Sequence, residues 1–427
     1  MAAGSTYERA DCLVLGAGIV GVSTALALQA AGRDVILVDR KQPGTGTSFG
    51  NAGIIQGEGV TPYMLPRNIA TLTAMALNRR PEAHLHYRSV LALLPWLARY
   101  FWNSSERRFH AIASANAPLI ARCVETHRKL MAEAGAEHLL SDRGYLRVVR
   151  DTEDMAAEEA VQQDAQARYG VEYEVCNPDR LAELEPHLAG NLVGGFLMPQ
   201  PASISDPLAL TEAYLALFRR RGGRLATADA TLLARDEAGD LPGWSVETAE
   251  GALSARDAVL CLGPWSRDLL NSFGVNAPLA TKRGYHMHFA AEGNAVLNRP
   301  VLDLDNGYVL APMTKGVRLT TGAEFATRDR PATPRQLEMV TPKARQLFPL
   351  GAKRDAGPWL GARPCFPDML PMVGPVPGRA GLWANLGHHH LGLTLGPVTG
   401  ELIAAMVTGA APFTDPQPYR VGRFGRG

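Results

Sequence analysis

The chain has 427 residues, of which 46% are hydrophobic and 20% are charged, and its formal net charge is +1. These values predict a folded protein of two or three domains with a large core, and they exclude disordered and fibrous proteins. Because 43 basic residues balance 42 acidic ones, no electrostatic surface for nucleic acid is predicted, and the expected partner is a small molecule.

The cysteines and the N-terminus bear on where the protein is found. The five cysteines lie far apart and form no CxxC pair, so the sequence predicts neither a disulfide framework nor a zinc site. The N-terminal residues contain no apolar segment of a secretory signal, and a reducing, cytoplasmic location is expected. Because no apolar run reaches the roughly 18 residues of a membrane-spanning helix, attachment to the inner face of the cytoplasmic membrane would be peripheral at most.

The segment from residue 11 to residue 39 predicts a βαβ unit. An apolar strand at 11–15 leads into a helix at 19–30, and a second apolar strand at 35–38 ends in Asp39. Three glycines stand in the G-x-G-x-x-G spacing: Gly16 and Gly18 in the turn before the helix, and Gly21 in its first turn. The first permits a tight turn, the second lets the backbone approach a pyrophosphate, and the third lets the helix pack closely on the strand.

The same unit restricts the choice of dinucleotide. The free N–H groups at the helix N-terminus favour phosphate, and Asp39 is placed to accept hydrogen bonds from both ribose hydroxyls. An acid at this position disfavours the 2′-phosphate of NADP, although Arg40 and Lys41 beside it reduce that repulsion. NAD and FAD both use this fingerprint, so the choice between them stays open at this point.

The loop after Asp39 is rich in Gly, Ser, Thr and Asn. Small polar residues suit a backbone that wraps a large polar cofactor, and a loop of this length in a compact domain is usually functional or disordered. The loop therefore favours FAD over NAD, with a flexible surface loop as the alternative.

A helical pattern covers 61–136, and within it the segment 89–103 predicts a helix that Pro95 starts or kinks. This helix is expected to pack in the core or between domains. The alternative is a position on a membrane surface, because its aromatic residues stand beside arginines.

The middle of the chain predicts two helices between strands. A charged surface helix covers 152–168, and a second helix begins after Asp206, with Pro207 at its first position, and ends near residue 221. The predicted strands are at 144–150, 192–198, 224–234, 244–248 and 257–262. The last of them runs into Gly263, which returns the backbone to the dinucleotide crevice.

The remainder of the chain predicts an antiparallel sheet followed by one more helix. Alternating strands begin at residue 281. A strand at 382–386 is followed by a turn of glycine and histidine, and then by a helix that Pro397 opens and that ends near residue 407. The N-terminus of this helix would stabilise the negative charge that a flavin acquires on reduction, which favours FAD again.

These elements predict an α/β fold, a flavoprotein of two domains. The Rossmann-like FAD-binding domain is discontinuous and comprises 1–60, 200–280 and 355–427. The substrate domain, built on a mainly antiparallel sheet, comprises 61–199 and 281–354.

The order of the motifs resembles that of the FAD-dependent D-amino acid oxidase superfamily, and within it the bacterial D-amino acid dehydrogenases and their glycine oxidase and D-hydroxyproline dehydrogenase relatives. The resemblance covers nearly the whole chain. It depends on seven segments: LGAGIVG with Asp39, TSFGNAG, GYLRV, CLGPWS, RGYH, the GxRPxxPDxLPxxG pattern of 361–374, and GHHHLGLTLGPVTG. RGYH replaces the more usual KGYS, and His389, His390 and Leu393 also differ from the usual pattern, which argues against D-alanine as the substrate.

The resemblance implies oxidative deamination of a D-amino acid, including cyclic or secondary ones such as D-proline or D-hydroxyproline. A hydride would pass from Cα to N5 of noncovalently bound FAD, and a quinone or another acceptor would take the electrons. The rivals are an oxygen-using oxidase of the glycine or sarcosine type and a noncatalytic FAD subunit that transfers electrons.

The resemblance also implies site residues. The expected cofactor-binding residues are Gly16, Gly18, Gly21, Asp39, Arg40, Ser48, Asn51, Gly53, Gly263, Leu391, Gly392, Leu393 and Thr394. Arg363 is expected to bind the substrate carboxylate through its two parallel N–H groups, Tyr285 and Tyr308 to complete the substrate cage, and His388 to lie beside the flavin. No metal site is expected, because three consecutive histidines cannot converge on one ion.

Overall fold

Helices and strands follow one another through residues 8–236 and 242–425, the part of the chain that the computed structural model describes. The helices are α1 Ile19–Ala30, α2 Ile69–Ala76, α3 Val90–Asn103, α4 Glu106–Ala134, α5 Thr152–Tyr169, α6 Pro178–Leu184, α7 Pro207–Arg220, α8 Ser266–Ser272, α9 Arg335–Leu347 and α10 Gly392–Thr408. The beginning of the N-terminal segment, where no secretory signal is predicted, lies outside the described residues.

The strands form two large sheets and one small one. They are, in chain order, β1 Glu8–Leu15, β2 Val35–Asp39, β3 Ile54–Ile55, β4 Ala83–Leu85, β5 Leu140–Ser141, β6 Tyr145–Val149, β7 Glu174–Cys176, β8 Gly194–Met198, β9 Ala202–Ile204, β10 Arg224–Thr227, β11 Ala234–Asp236, β12 Gly243–Thr248, β13 Gly251–Leu260, β14 Ala280–Ala291, β15 Val301–Asp303, β16 Tyr308–Met313, β17 Gly316–Thr320, β18 Ala323–Phe325, β19 Leu350–Lys353, β20 Trp359–Cys365, β21 Met372–Pro375 and β22 Leu382–Leu386.

The first sheet contains the predicted βαβ unit at its centre. Its order is β10-β2-β1-β13-β12-β11, and β22 pairs with β13 and β21. The central strands β10, β2, β1, β13 and β22 are parallel. Both faces of these strands are covered, so their sequences are continuous apolar segments such as 12–15 and 35–38. Their carboxyl ends meet at one edge, where an α/β sheet binds its ligand.

The second sheet has the order β4-β18-β14-β17-β16-β15-β6-β8-β7, with β19 and β20 also paired to β14. Its pairs are antiparallel except β15 with β6 and β18 with β4. The predicted α/β class with a mainly antiparallel second sheet is therefore confirmed. A small sheet, β3-β9-β5, contains the end of the loop that follows the βαβ unit. Strand pairing alone does not divide the chain, so the domain boundaries stay a prediction.

Three predicted elements differ in the structure. The helical pattern over 61–136 is interrupted by β4, which pairs with β18. The strand expected at 224–234 is divided, because the Asp229 side chain accepts hydrogen bonds from Thr231 N at 3.0 Å and Thr231 Oγ1 at 2.6 Å and forms a short turn. The C-terminal helix begins at Gly392, five residues before Pro397. Proline lacks the N–H that would bond to the carbonyl of Leu393. His127 Nε2 donates to that carbonyl at 2.7 Å instead, so the helix continues through the proline.

Membrane-spanning helices are not found in the described residues. None of the helices there is both long enough and apolar enough to cross a lipid bilayer.

Candidate active site

A cleft opens at the carboxyl edge of the first sheet. It is lined by the ends of β1, β2 and β13, by the loop after β2, and by the turn between β22 and α10. Of the expected cofactor-binding residues, those that line the cleft are Gly16, Gly18, Asp39, Arg40, Ser48, Asn51, Gly263, Gly392 and Leu393. Segments more than 350 residues apart in the sequence therefore meet at one site.

The glycines of the first turn are required by their contacts. Gly16 has φ +105°, and a Cβ there would lie 2.6 Å from the Cys261 carbonyl oxygen on the neighbouring strand. A Cβ at Gly21 would lie 1.7 Å from the carbonyl oxygen of Gly16. Gly21 does not line the cleft, and it acts by letting α1 approach β1. The helix N-terminus thereby comes to the edge of the sheet, where it can accept phosphate.

Two polar side chains support this turn. Ser48 Oγ accepts a hydrogen bond from Ile19 N at 3.0 Å, which caps α1 from the loop. Asp39 accepts from Ala17 N at 2.7 Å and from Lys41 N at 2.9 Å. A carboxylate has about four lone-pair positions, so Asp39 can accept ribose hydroxyls in addition.

The helix α10 presents a second N-terminus to the cleft. Gly396 and Gly400 let it cross α1 closely, since a Cβ at Gly400 would lie 2.9 Å from the Ser23 carbonyl oxygen. Thr394 and Leu391, also expected to bind the cofactor, lie outside the cleft lining. Thr394 Oγ1 donates to Ile54 O at 3.3 Å and accepts from Gln56 N at 3.1 Å, which holds the first turn of α10 against β3.

The loop after β2 is fixed by hydrogen bonds. Asn51 Oδ1 accepts from Gly53 N at 2.8 Å, and Arg318 Nη1 donates to Phe49 O at 3.1 Å and to the carbonyl of Asn51. Gly53, which does not line the cleft, has φ +73°, and a Cβ there would lie 2.3 Å from Ile204 O. The loop therefore closes one side of the cleft in a defined conformation.

Arg40 and three residues outside the predicted set form another part of the cleft wall. Arg40 Nη1 lies 3.4 Å from Asp229 Oδ2, and its guanidinium lies 5.5 Å from the ring of Trp265. Asp229, Thr231 and Trp265 all line the cleft. Only Trp265 had a signal in the sequence, as part of the CLGPWS motif.

The cleft fits a dinucleotide. The N-termini of α1 and α10 reach the cleft, and the turn between β1 and α1 has no room for side chains. Asn385, fully buried at the end of β22, lines the cleft, and its Oδ1 has no hydrogen-bond partner among the described residues. Such a buried acceptor requires a donor, which the ligand would supply.

A second cavity of about 410 Å³ adjoins the cleft and lies against the second sheet. Residues shared by the linings of both are Gly50, Asn51, Thr320, Arg363 and His390. Its volume is that of a small-molecule site. The shared residues mark the point where a small substrate and a dinucleotide would meet.

Arg363 lies at this junction. Its guanidinium is placed over Gly284, where a Cβ would lie 2.3 Å from Nη2. It donates to the carbonyls of Gly322 at 3.0 Å, Arg283 at 3.3 Å and Thr321 at 3.4 Å. No carboxylate of the described residues lies within 4.0 Å of it. Burial lowers the pKa of Arg363 from its usual range. A half-buried guanidinium of fixed orientation without a counter-ion is suited to a substrate carboxylate.

The three other expected substrate-side residues are placed differently. Tyr285 lines the cleft, but its hydroxyl already donates to Glu324 Oε2 at 3.0 Å and accepts from Thr333 N at 2.7 Å. Tyr308 lies outside both cavities, and its hydroxyl donates to Asp303 at 2.8 Å within the core. His388 lines the cleft, and its Nε2 lies 2.9 Å from Thr399 Oγ1. Because that hydroxyl donates to Leu395 O, Nε2 of His388 carries the proton.

One group of potential metal ligands is present in the described residues: His286, His288 and Asp355, with ligand atoms within 4.8 Å of one another. His288 Nδ1 lies 2.8 Å from Asp355 Oδ2, and its Nε2 accepts from Arg318 Nε at 2.9 Å. Lys315 also pairs with Asp355. Both ring nitrogens of His288 are thus occupied by protein groups, and the cluster positions Arg318, which donates to the loop after β2.

Buried histidines predict that acid destabilises the protein. Burial lowers the pKa of His388 and His390 to about 3, and that of His127 to about 4. In the unfolded chain an imidazole titrates near ~6.5, so at pH 5 each of these histidines takes up a proton only on unfolding. We expect each of them to lower the free energy of unfolding by about 2 kcal/mol when the pH falls from 7 to 5. Above the pKa of the unfolded imidazole, they should not change the free energy of unfolding.

Urea unfolding at pH 7, 6 and 5 measures this loss. His127→Gln should reduce the loss of unfolding free energy between pH 7 and pH 5 by the contribution of one histidine. His138→Asn, at an exposed position, is the matched control and should leave it unchanged. Equal free energies of unfolding at pH 7 and pH 5 would contradict the prediction.

Comparisons with known proteins agree with this geometry. The family model described as FAD dependent oxidoreductase matches residues 11–406. The chain is similar to the D-amino acid dehydrogenase of Rhizobium johnstonii, with 31% identity over 97% of this chain and 99% of the relative. It is also similar to the D-amino acid dehydrogenase of Neisseria gonorrhoeae, with 31% identity over 93% of this chain and 95% of the relative.

A solved structure shows the same fold. Glycine oxidase from Geobacillus kaustophilus superposes with a TM-score of 0.71 at 22% identity, covering 97% of this chain and 99% of that one. The fold, the cleft and the family match together identify the cofactor as FAD and the protein as an oxidoreductase that acts on amino acids. The chain belongs to the family of FAD-dependent oxidoreductases, and its curated relatives are D-amino acid dehydrogenases.

Proposed function

We propose that this protein oxidises the Cα–N bond of a D-amino acid, a secondary or cyclic one such as D-proline included, and passes the electrons to an acceptor other than oxygen. The observation that carries the proposal is Arg363, a half-buried guanidinium that has no carboxylate partner among the described residues and lies where the cleft and the second cavity meet. The D-amino acid dehydrogenases that resemble the chain over nearly its whole length support this assignment.

The chain's own residues would bind, orient and enclose the substrate. Bound FAD would accept the hydride from Cα. The guanidinium of Arg363 would hold the α-carboxylate through two N–H bonds and so orient Cα, which is worth several kcal/mol in a positioned reaction. The N-terminus of α10 would stabilise negative charge at the edge of the cleft. The amine must reach the site neutral. Water would hydrolyse the imine of a primary amino acid to a keto acid and ammonia, whereas a D-proline-like substrate would give a cyclic imine.

Further roles for the predicted residues are part of this proposal. The first turn with Gly16 and Gly18 would bind the pyrophosphate, and Asp39 the ribose. His388, kept neutral by burial, would lie beside the flavin. Tyr285 would contribute only its ring to the wall of the cleft, because its hydroxyl is already hydrogen-bonded to Glu324.

Dye reduction by the isolated, FAD-loaded protein tests the proposal. D- and L-amino acids are screened as separate panels with an artificial electron acceptor, and peroxide is measured in air without the dye. Reduction with D-amino acids only, and no peroxide, is the expected result. Peroxide formation would favour the glycine or sarcosine type of oxidase, and a flavin that no amino acid reduces would favour an electron-transfer subunit.

The acceptor proposal includes a membrane surface, because a quinone is found there. Apolar side chains are exposed along α2 and α3: Ile69, Leu77, Leu91, Leu94 and Trp102. The segment also carries arginines: Arg67, Arg79, Arg80, Arg88 and Arg99. Leu91 is 83% and Trp102 66% exposed, whereas Trp96 and Tyr100 on the opposite face of α3 are buried. An apolar face beside basic residues is typical of helices that lie on anionic lipid.

The double substitution Leu91→Glu and Trp102→Glu is expected to lower binding to anionic vesicles by about tenfold or more, because it removes two apolar contacts and adds two repelled charges. Co-sedimentation with vesicles of phosphatidylglycerol measures the effect. Val161→Glu, at a position on α5 that is 51% exposed, is the control. Equal sedimentation of the wild type, the double variant and Val161→Glu would exclude this surface as the lipid-binding site.

A further inference from the structure

Two cations stand directly opposite each other in the second cavity. Lys282 of β14 pairs in register with Arg363 of β20, and the strands are antiparallel. Directly opposed residues point to the same face of a sheet, and both side chains line the cavity. Like charges in this arrangement are destabilising. The pair therefore needs an explanation other than stability.

Lys282 carries a charged amine at pH 7 although it is buried, because burial lowers the pKa of this amine only to about 8. Its Nζ donates to Tyr100 Oη at 2.6 Å, and because the Tyr100 hydroxyl itself donates to the Tyr63 carbonyl, this oxygen can only accept from the lysine. Three rings surround Nζ, with centroids 3.9 Å away for Tyr100, 5.5 Å for Phe325 and 5.6 Å for Trp96. Aromatic faces attract a cation, so these rings offset part of the cost of burying the ammonium.

The ammonium of Lys282 has no anionic partner. It is 6% exposed, and no carboxylate of the described residues lies within 4.0 Å of Nζ. Its other contact is the sulfur of Met369 at 3.5 Å, a weak acceptor. Glu82, which also lines the cavity, is already paired with Arg80 at 2.6 Å. An ammonium has three donors, so at least one is available to a ligand.

The two cationic groups occupy separate places. The guanidinium of Arg363 lies over Gly284, the next residue of β14 on the same face, and donates to backbone carbonyls there. The ammonium of Lys282 lies against α3 and Met369. One carboxylate held by Arg363 would therefore leave the lysine without a counter-ion, whereas a ligand with two anionic groups would pair with both.

We propose that Lys282 is a second anion-binding position in the substrate cavity, and that the preferred substrates are D-amino acids with an acidic side chain. The α-carboxylate pairs with Arg363 and the side-chain carboxylate with Lys282. The cavity volume of about 410 Å³ accommodates a dicarboxylic amino acid. This inference rests on the proposed function and specifies its substrate class.

Lys282→Met tests the inference, since methionine fills the aromatic cage without the charge. The FAD-loaded full chain is assayed by dye reduction with D-glutamate and with D-methionine, a neutral substrate of similar length. We expect the wild type to prefer D-glutamate and the variant to lose about 30-fold or more in kcat/KM for it, mainly through KM. The value for D-methionine should change by less than about threefold. Lys353→Met, at an exposed lysine of β19, should change neither.

A binding measurement separates this inference from the proposed function. Glutarate, a dicarboxylate without an amine, should raise the unfolding midpoint of the wild type more than butyrate does, and Lys282→Met should remove the difference. Equal losses for both amino acids in the variant would place Lys282 on the α-carboxylate and overturn the inference. A wild type that oxidises D-methionine but not D-glutamate would overturn it as well and leave the proposed function intact. Without turnover of any amino acid the proposed function fails, and the glutarate result alone decides whether the anion position exists.

Discussion

Replacement of Arg363 by alanine is expected to raise KM for the amino acid by about 100-fold, with the absorption spectrum of bound FAD unchanged. Truncating one partner of a buried charge pair costs about 2–5 kcal/mol, and each 1.4 kcal/mol is about tenfold in binding. The loss should fall on the substrate because the guanidinium has no carboxylate partner among the described residues. Steady-state dye reduction and absorption spectra measure both quantities.

Two further variants make this result specific. Arg363→Ala also removes the hydrogen bonds to the carbonyls of Gly322 and Arg283, so its unfolding midpoint is measured alongside. Arg363→Lys keeps the charge and loses the two parallel N–H groups, and we expect it to recover only part of the affinity. Arg420→Ala, at an exposed arginine, is the control. A variant at Arg363 with wild-type KM would contradict the assignment of the carboxylate.

Replacement of Gly21 by alanine is expected to yield a protein with less than about a tenth of the wild-type FAD content. A Cβ at Gly21 would lie 1.7 Å from the carbonyl oxygen of Gly16, and a backbone atom cannot move away without displacing α1 from β1. The helix N-terminus would then no longer be aligned with the pyrophosphate. A loss of only ~1.4 kcal/mol in binding free energy lowers the affinity tenfold. Absorption at the flavin bands, relative to protein, gives the content.

Thermal unfolding supplies the control for this prediction. Added FAD should raise the unfolding midpoint of the wild type and leave that of Gly21→Ala unchanged, because a ligand stabilises only the state that binds it. Gly357→Ala is the matched variant, since a Cβ at this exposed position meets no atom within 4 Å. Normal FAD content in Gly21→Ala would show that the close approach of helix and strand is not needed for the cofactor.

Helix boundaries could be predicted from the sequence where neighbouring residues determine them. The helix predicted after Asp206 forms at Pro207–Arg220, and the Asp206 side chain accepts from Leu208 N and Ala209 N as a cap should. The prediction for the C-terminal helix was wrong at its start. Proline usually opens a helix, and the donor that replaces its missing N–H is His127, more than 260 residues away. No local pattern identifies such a partner.

The sequence by itself determined the βαβ unit, the class of cofactor and the resemblance to amino acid oxidoreductases, because these depend on residue types at short spacings. Only the tertiary structure decided which cations share the second cavity. Lys282 and Arg363 are separated by about eighty residues, and their meeting depends on the register of β14 with β20. A shift by one residue would send one of the two side chains to the other face of the sheet. Strand register is set by the packing of the whole sheet, so the second anion position could not be seen before the fold was known.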